Sequence, residues 1–391
     1  MTLDLRSHFS EFRSADPTRI HLAAHSHHFW PDAACAGHLR ALADAARLAD
    51  NKWQAIFTAL IPRVQRGIAG LLALPDPATI AFAPNTHDLV RRLLSALPAA
   101  TRPRILTSDS EFHSFTRQIA SLEEENLVAV ERIPAEPFAS FPERFAAAAS
   151  RGEHDLVFVS QVFFNSGATC GPLDAIVVAV HDSSALIVID GYHGFMALPT
   201  NLARIGDRAF YLAGGYKYAM AGEGVCFMHC PPGFAPRPRD TGWFAAFGAL
   251  SSGGSAVGYG TDGSRFLGAT FDPSGLYRLA AVLDWMDEIA LTVEAIHAHV
   301  LELQELFLAE IARLAMQPLS AARLVTPVAS GLARGHFLTF ETADAQSMHD
   351  RLVRANIVTD VRGDRIRFGF GCYHTAEDIT AAVAAIARTL D

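Results

Sequence analysis

The chain has 391 residues and a net charge of −9, with half of its residues hydrophobic and 19% charged. That length is enough for a large domain and a smaller one, each with its own core. An acidic balance with scattered arginines excludes nucleic acid and anionic membrane as natural partners, and a small molecule remains as the expected one.

Met1-Thr2-Leu3-Asp4-Leu5-Arg6 lacks the basic-then-apolar layout of a signal peptide. No uninterrupted apolar stretch reaches the length of a membrane span, so a cytoplasmic protein is expected. Five cysteines, Cys35, Cys170, Cys226, Cys230 and Cys372, are odd in number and widely spread, which suits reduced thiols. His21, His25, His27 and His28 crowd the stretch before Pro31-Asp32. No Asp, Glu or Cys accompanies them at ligand spacing, so they predict a polar, aromatic loop bordering a pocket and no metal site. Cys226-Phe227-Met228-His229-Cys230 likewise has no answering pair. Helices are predicted over 33–49 and 53–74, the second from apolar residues at helical spacing (Trp53, Ile56, Phe57, Leu60, Val64, Ile68, Leu72).

From about residue 78 short apolar runs alternate with helices. Residues 79–83 read as a strand that passes through Pro84-Asn85-Thr86 into a helix, with Asn85 and Thr86 at its cap. Unpaired N–H groups and a positive dipole at such a terminus suit a phosphate, although capping alone accounts for Asn-Thr. Strand, polar loop and helix recur at 104–107 before Phe112, at 156–161 and at 185–190. Continuous apolar strands separated by helices predict a mostly parallel sheet covered on both faces. The ligand of such a sheet lies at the carboxyl ends of its strands, where Asn85, Phe112, Ser160 and Asp190 all fall.

Lys217 is one of only two lysines, the other being Lys52, in a chain that otherwise carries its positive charge on arginine. It stands among glycines and tyrosines, Gly214 to Gly224, and an amine there can lose its proton and attack a carbonyl, as arginine cannot. Asp190 closes an apolar strand and needs a cationic or hydrogen-bonding partner. Residues 231–264 form a long irregular segment, and 274–315 a long helical bridge. Beyond it, strands near 322–327, 335–341, 357–361 and 365–370 with helices over 344–354 and 376–389 predict a small α+β unit. Arg367, inside an apolar strand, predicts a bound anion or a structural ion pair.

Asp190-x-x-His193, Tyr216-Lys217-Tyr218 in a Gly-rich turn and Arg367 in a C-terminal strand together resemble the fold-type-I pyridoxal-phosphate enzymes of the aminotransferase class V family. Within that family the likeness is nearest to kynureninases, over about residues 20–375. Their Ser-Tyr-Lys-Tyr resembles Gly215-Tyr216-Lys217-Tyr218. Their Gly-Trp and Asn-Phe-Pro-Ser segments resemble Gly242-Trp243-Phe244 and Glu111-Phe112-His113-Ser114. The resemblance implies an N-terminal segment (1–50) bordering the active site, a large cofactor-binding α/β domain (51–285) and a small C-terminal α+β domain (286–391). It implies Lys217 as the imine-forming, proton-carrying lysine and Asp190 as the partner of the cofactor's ring nitrogen. Phe112 would stack on the ring beside His193, and Asn85, Thr86 and Tyr216 would hold the phosphate. Ser160 is a further implied cofactor contact, and Thr270 would reach the phosphate of a neighbouring subunit, so a homodimer is implied. Arg367, with Trp243 and His25, would meet an amino-acid substrate. Phe115, His25-Ser26 and Tyr373-His374 depart from the kynureninase pattern. The loop before Arg367 lacks the cysteine that desulfurases carry. Kynureninase-type hydrolysis or transamination is therefore expected, against the alternative of a protein of the same fold that binds without turnover.

Overall fold

A computed structural model of the protein describes residues 3–98, 101–249, 256–328 and 333–390. Seven strands form the main sheet: β2 (Ile80–Ala83), β3 (Arg104–Ser108), β4 (Ala129–Ile133), β5 (Leu156–Ser160), β6 (Leu186–Asp190), β7 (Ala209–Gly214) and β8 (Cys226–His229). Their order is β2-β8-β7-β6-β5-β3-β4, and only β8 runs against the others. The predicted mostly parallel α/β sheet is therefore present.

Why the strands read as unbroken apolar runs is visible in the packing. Val157, Val159, Ile187, Ile189, Tyr211 and Ala213 face one core, shared with helices Ile61–Leu72 and Ser274–Glu288. The alternate residues Leu156, Phe158, Leu186, Val188, Phe210 and Leu212 face the other, under helices Thr86–Ala96 and His113–Glu124. Both faces are covered, so neither can be polar.

Two strands carry no pattern of their own: β8 is only four residues, beginning in Cys226 and ending in His229, and β4 is a half-exposed edge strand. The 274–315 bridge is two helices, Ser274–Glu288 and Val293–Arg313, parted at Ala290, whose φ is 51°. The nearly unbroken helical run Asp32–Leu72 is by length and composition long and apolar enough to cross a membrane, although Arg63, Gln65 and Arg66 interrupt its apolar stretch. In this fold Ile56, Ile61, Val64, Ile68 and Leu72 of that run are core residues. Its π turn at Ile56–Leu60 precedes Pro62, which has no N–H to continue the α ladder.

A second, antiparallel sheet has the order β12-β13-β10-β9, from β9 (Arg323–Leu324), β10 (Phe337–Glu341), β12 (Asp360–Arg362) and β13 (Arg365–Gly369). The N-terminal segment lies against it. Strand β1 (Ile20–His21) pairs in parallel with β11 (Ile357–Val358), and the Gly369 N–H donates to the Leu22 carbonyl at 2.6 Å. These contacts set the histidine loop beside the main sheet. Among the described residues of the irregular stretch 231–264, short 3-10 turns occur at Trp243–Ala249 and from Gly263 on to Phe266; residues 250–255 lie outside the described residues.

Candidate active site

The carboxyl ends of the parallel strands open on a cavity of about 680 Å³. Asn85, Thr86, Phe112, Ser160, Asp190, His193, Tyr216 and Lys217 all line it, so residues more than a hundred positions apart meet where the sheet topology predicts.

Lys217 is buried, at 6% exposure. Its Nζ donates to the His25 carbonyl at 2.8 Å and lies 5.1 Å and 5.6 Å from the ring centres of Tyr216 and Tyr192. Burial, with the nearby Arg367 charge, lowers its pKa to about 7. The turn that holds it depends on glycine. A Cβ on Gly215 would stand 2.6 Å from the Gly222 carbonyl oxygen, and Gly222 itself has φ +67° with Trp30 packed on it.

Asp190 closes β6, beside Ser160 across the sheet. One carboxylate oxygen accepts the Tyr192 N–H at 2.9 Å, and among the described residues no ion pair engages the group. Burial raises its pKa to about 6, a condition that a cationic ring N–H would relieve. Asn85 caps helix Thr86–Ala96, its Oδ1 accepting from the Asp88 N–H at 2.9 Å. The start of that helix faces the cavity with its dipole's positive end. A lysine amine, a carboxylate and an anion-binding helix end thus converge in one cleft, and they fit the aldehyde, ring nitrogen and phosphate of pyridoxal phosphate. Phe112, at the start of helix His113–Glu124, packs edge-to-face with Phe164 and supplies the aromatic wall.

The other expected contacts are arranged differently. Arg367 is buried on β13, where its Nη2 pairs with Asp360 at 2.7 Å and its Nη1 donates to the Phe164 carbonyl; its Nε has no partner. It lies behind the cavity wall in the structural ion pair that was one of its two expected states, with one N–H left over. His25 presents its carbonyl to Lys217, not its ring. The ring stacks on Phe337 at 4.7 Å, and neither ring nitrogen has a partner. Burial holds His25 and His193 well below the usual histidine pKa, so both are neutral. Trp243 and Thr270 do not line the cavity in this chain. Trp243 is 46% exposed, and Thr270 is exposed in the loop that leads to helix Ser274–Glu288.

Ser160 carries a further surprise, because its hydroxyl is already engaged. It donates to Glu111 at 2.5 Å, and Glu111 is a buried carboxylate that residue-by-residue reading passed over. Its signal is of the same kind as that of Asp190: a carboxylate at the carboxyl end of an apolar strand, three residues past the end of β3. Tyr192 and Cys226 also line the cavity without having been foreseen.

Comparison with known proteins agrees with this geometry. The family described as "Aminotransferase class-V" matches residues 38–381. A probable cysteine desulfurase of Vibrio cholerae serotype O1 (strain ATCC 39315 / El Tor Inaba N16961) is 25% identical over 344 residues, covering 83% of this chain and 81% of the relative. An isopenicillin N epimerase of Streptomyces clavuligerus is 28% identical over 179 residues, 45% of this chain and 44% of its own. Among solved structures, the complex of the cystine C–S lyase C-DES with its reaction product cysteine persulfide superposes with a TM-score of 0.78 at 17% identity, covering 94% of this chain and 97% of that one. None of these three is a kynureninase, so that nearer likeness stays with the residues that suggested it. With the family matching most of its length and this lysine, carboxylate and helix end at the strand termini, the chain belongs to the aminotransferase class V family of pyridoxal-phosphate enzymes, fold type I.

Proposed function

We propose that the protein acts on an α-amino acid, with Lys217 removing the α-proton, and goes on to kynureninase-type Cβ–Cγ hydrolysis or to amino transfer. The observation that carries this reading is the buried, near-neutral amine of Lys217 in one cavity with the unpaired Asp190 carboxylate. Bound pyridoxal phosphate supplies an electron sink for the charge left at the substrate's α-carbon. Asp190 keeps the ring nitrogen protonated, and the Thr86–Ala96 helix end with Tyr216 receives the phosphate. Lys217, free near pH 7 to accept and return a proton, serves as the acid–base group. Arg367, paired with Asp360 behind the wall that carries Phe164, is the cation assigned to the substrate carboxylate.

Sulfur transfer to an enzyme thiol has little support. The β12–β13 hairpin turns at Gly363-Asp364 without a cysteine, and Cys226 in the cavity is buried with its thiol pushed up to about 12. The five free thiols suit a reducing, cytoplasmic setting. A homodimer accounts for Thr270 and Trp243, which we assign to the site of the neighbouring copy. Exposed Trp243 and Phe247, 5.2 Å apart by ring centres, give that surface its apolar patch. The test is a panel of amino acids offered to the loaded protein. Release of alanine indicates side-chain cleavage and release of a keto acid indicates amino transfer. Spectral binding without either product from any of them would refute turnover.

A further inference from the structure

Glu111 is 3% exposed, and no ion pair engages it among the described residues. Its carboxylate accepts three hydrogen bonds: from Ser108 Oγ at 2.5 Å, Ser160 Oγ at 2.5 Å and the Ser160 N–H at 3.2 Å. The titratable groups facing it from other elements are Asp190 on β6 and the Cys170 thiol. A second buried acid thus lies directly behind the wall that carries Asp190, linked to the cavity through one hydroxyl.

The two serines are not equivalent. Ser108 is buried and already accepts the Ser110 N–H at 3.1 Å, so its hydrogen has nowhere to go but Glu111. Ser160 opens on the cavity. While Glu111 is ionised, both hydroxyls donate to it, and Ser160 shows only lone pairs to the cleft. Once Glu111 carries a proton it has a hydrogen to give, and the serine free to turn round is Ser160. Its own hydrogen then points at whatever the cavity holds. No atom is lost in this exchange; one proton enters Glu111, and one hydroxyl reverses.

We propose that Glu111 is a positioning residue that sets, through Ser160, whether the protein offers the bound cofactor a hydrogen-bond acceptor or a donor. Burial raises the Glu111 pKa to about 7, so both states are populated near neutrality. This inference rests on the proposed cofactor site.

The experiment compares wild type, Glu111→Gln and Ser160→Ala, each loaded with pyridoxal phosphate, by visible absorbance as a function of pH. Glutamine gives its amide hydrogen to Ser160 as the protonated acid would, so Ser160 stays a donor toward the bound cofactor and the more protonated cofactor form titrates at lower pH. Glu111→Gln is therefore expected to move the midpoint down by on the order of one pH unit. Ser160→Ala, which keeps the charge and cuts the route, is expected to displace the midpoint as well. In cofactor-free protein, the infrared band of buried protonated carboxyls should fade in two steps, that of Asp190 near pH 6 and that of Glu111 near pH 7, and only the step near pH 7 should be missing from Glu111→Gln. Three superimposable titrations overturn the proposal. A shift in Glu111→Gln alone also overturns it, since Glu111 would then act as a distant charge and not through Ser160. Absence of a visible band in wild type overturns the cofactor reading itself, and this inference with it.

Discussion

Lys217 owes its chemistry to where its amine is held, and the same holds for each acid and base around it. Out of water, and facing Arg367, the amine is favoured in its neutral form. Because only the neutral amine attacks an aldehyde, cofactor capture should speed up as pH rises through about 7 and level off above it, as stopped-flow absorbance would show. A midpoint near the ordinary lysine value of 10.5 would contradict the burial argument. Glu111 is shifted the opposite way in charge. Its pKa rises from 4.5 to about 7 on folding, so its contribution to stability is full below 4.5 and is lost as pH rises through about 7. Glu111→Gln should therefore match wild type in acid and exceed it above neutrality by about 3 kcal/mol at most. Chemical denaturation at two pH values checks this. Asp360→Ala should leave the Arg367 guanidinium buried and unpaired, at a cost of about 3–5 kcal/mol. A variant as stable as wild type would mean that the pair is not formed in solution.

Among the elements, those whose pattern is local were legible and those set by tertiary context were not. Helix Thr86–Ala96 could be foreseen from Asn85, and the structure shows that side chain accepting from Asp88. Asn85→Ala should cost about 1 kcal/mol of stability and weaken cofactor binding together, by calorimetry and by spectral titration. Loss of neither would remove this helix end from the site. At the break near Ala290 no glycine or proline marks the end of the first helix, and the one local signal is Thr292, which caps the second by accepting the Ala295 N–H at 3.1 Å. β8 was hidden because its character comes from lying between β2 and β7, not from its own four residues. The site was legible in the same uneven way. Lys217, Asp190 and Asn85 stand out because their chemistry is unusual for their surroundings in sequence. Glu111 becomes unusual only when the fold removes water and withholds a cation.

At the scale of the molecule, the sheet brings the lysine turn, the acid strand and the helix end together, and the N-terminal segment reaches Lys217 through the His25 carbonyl. That segment could be foreseen to border the pocket, but not through a backbone carbonyl, because no sequence pattern reports on carbonyls. Trp243 and Thr270 lie outside this chain's own cavity. If two copies share their sites, mixing Lys217→Ala with Thr270→Ala should restore activity to roughly a quarter of wild type in hybrid dimers, each holding one intact site. Two inactive variants that stay inactive when co-refolded would contradict sharing.

The central claim is that Lys217 carries the cofactor, and borohydride reduction of the loaded protein followed by peptide mapping tests it most directly. The account predicts a single pyridoxyl label on Lys217 and a visible band that Lys217→Ala abolishes. A label on Lys52, or no label on a colourless protein, would contradict it.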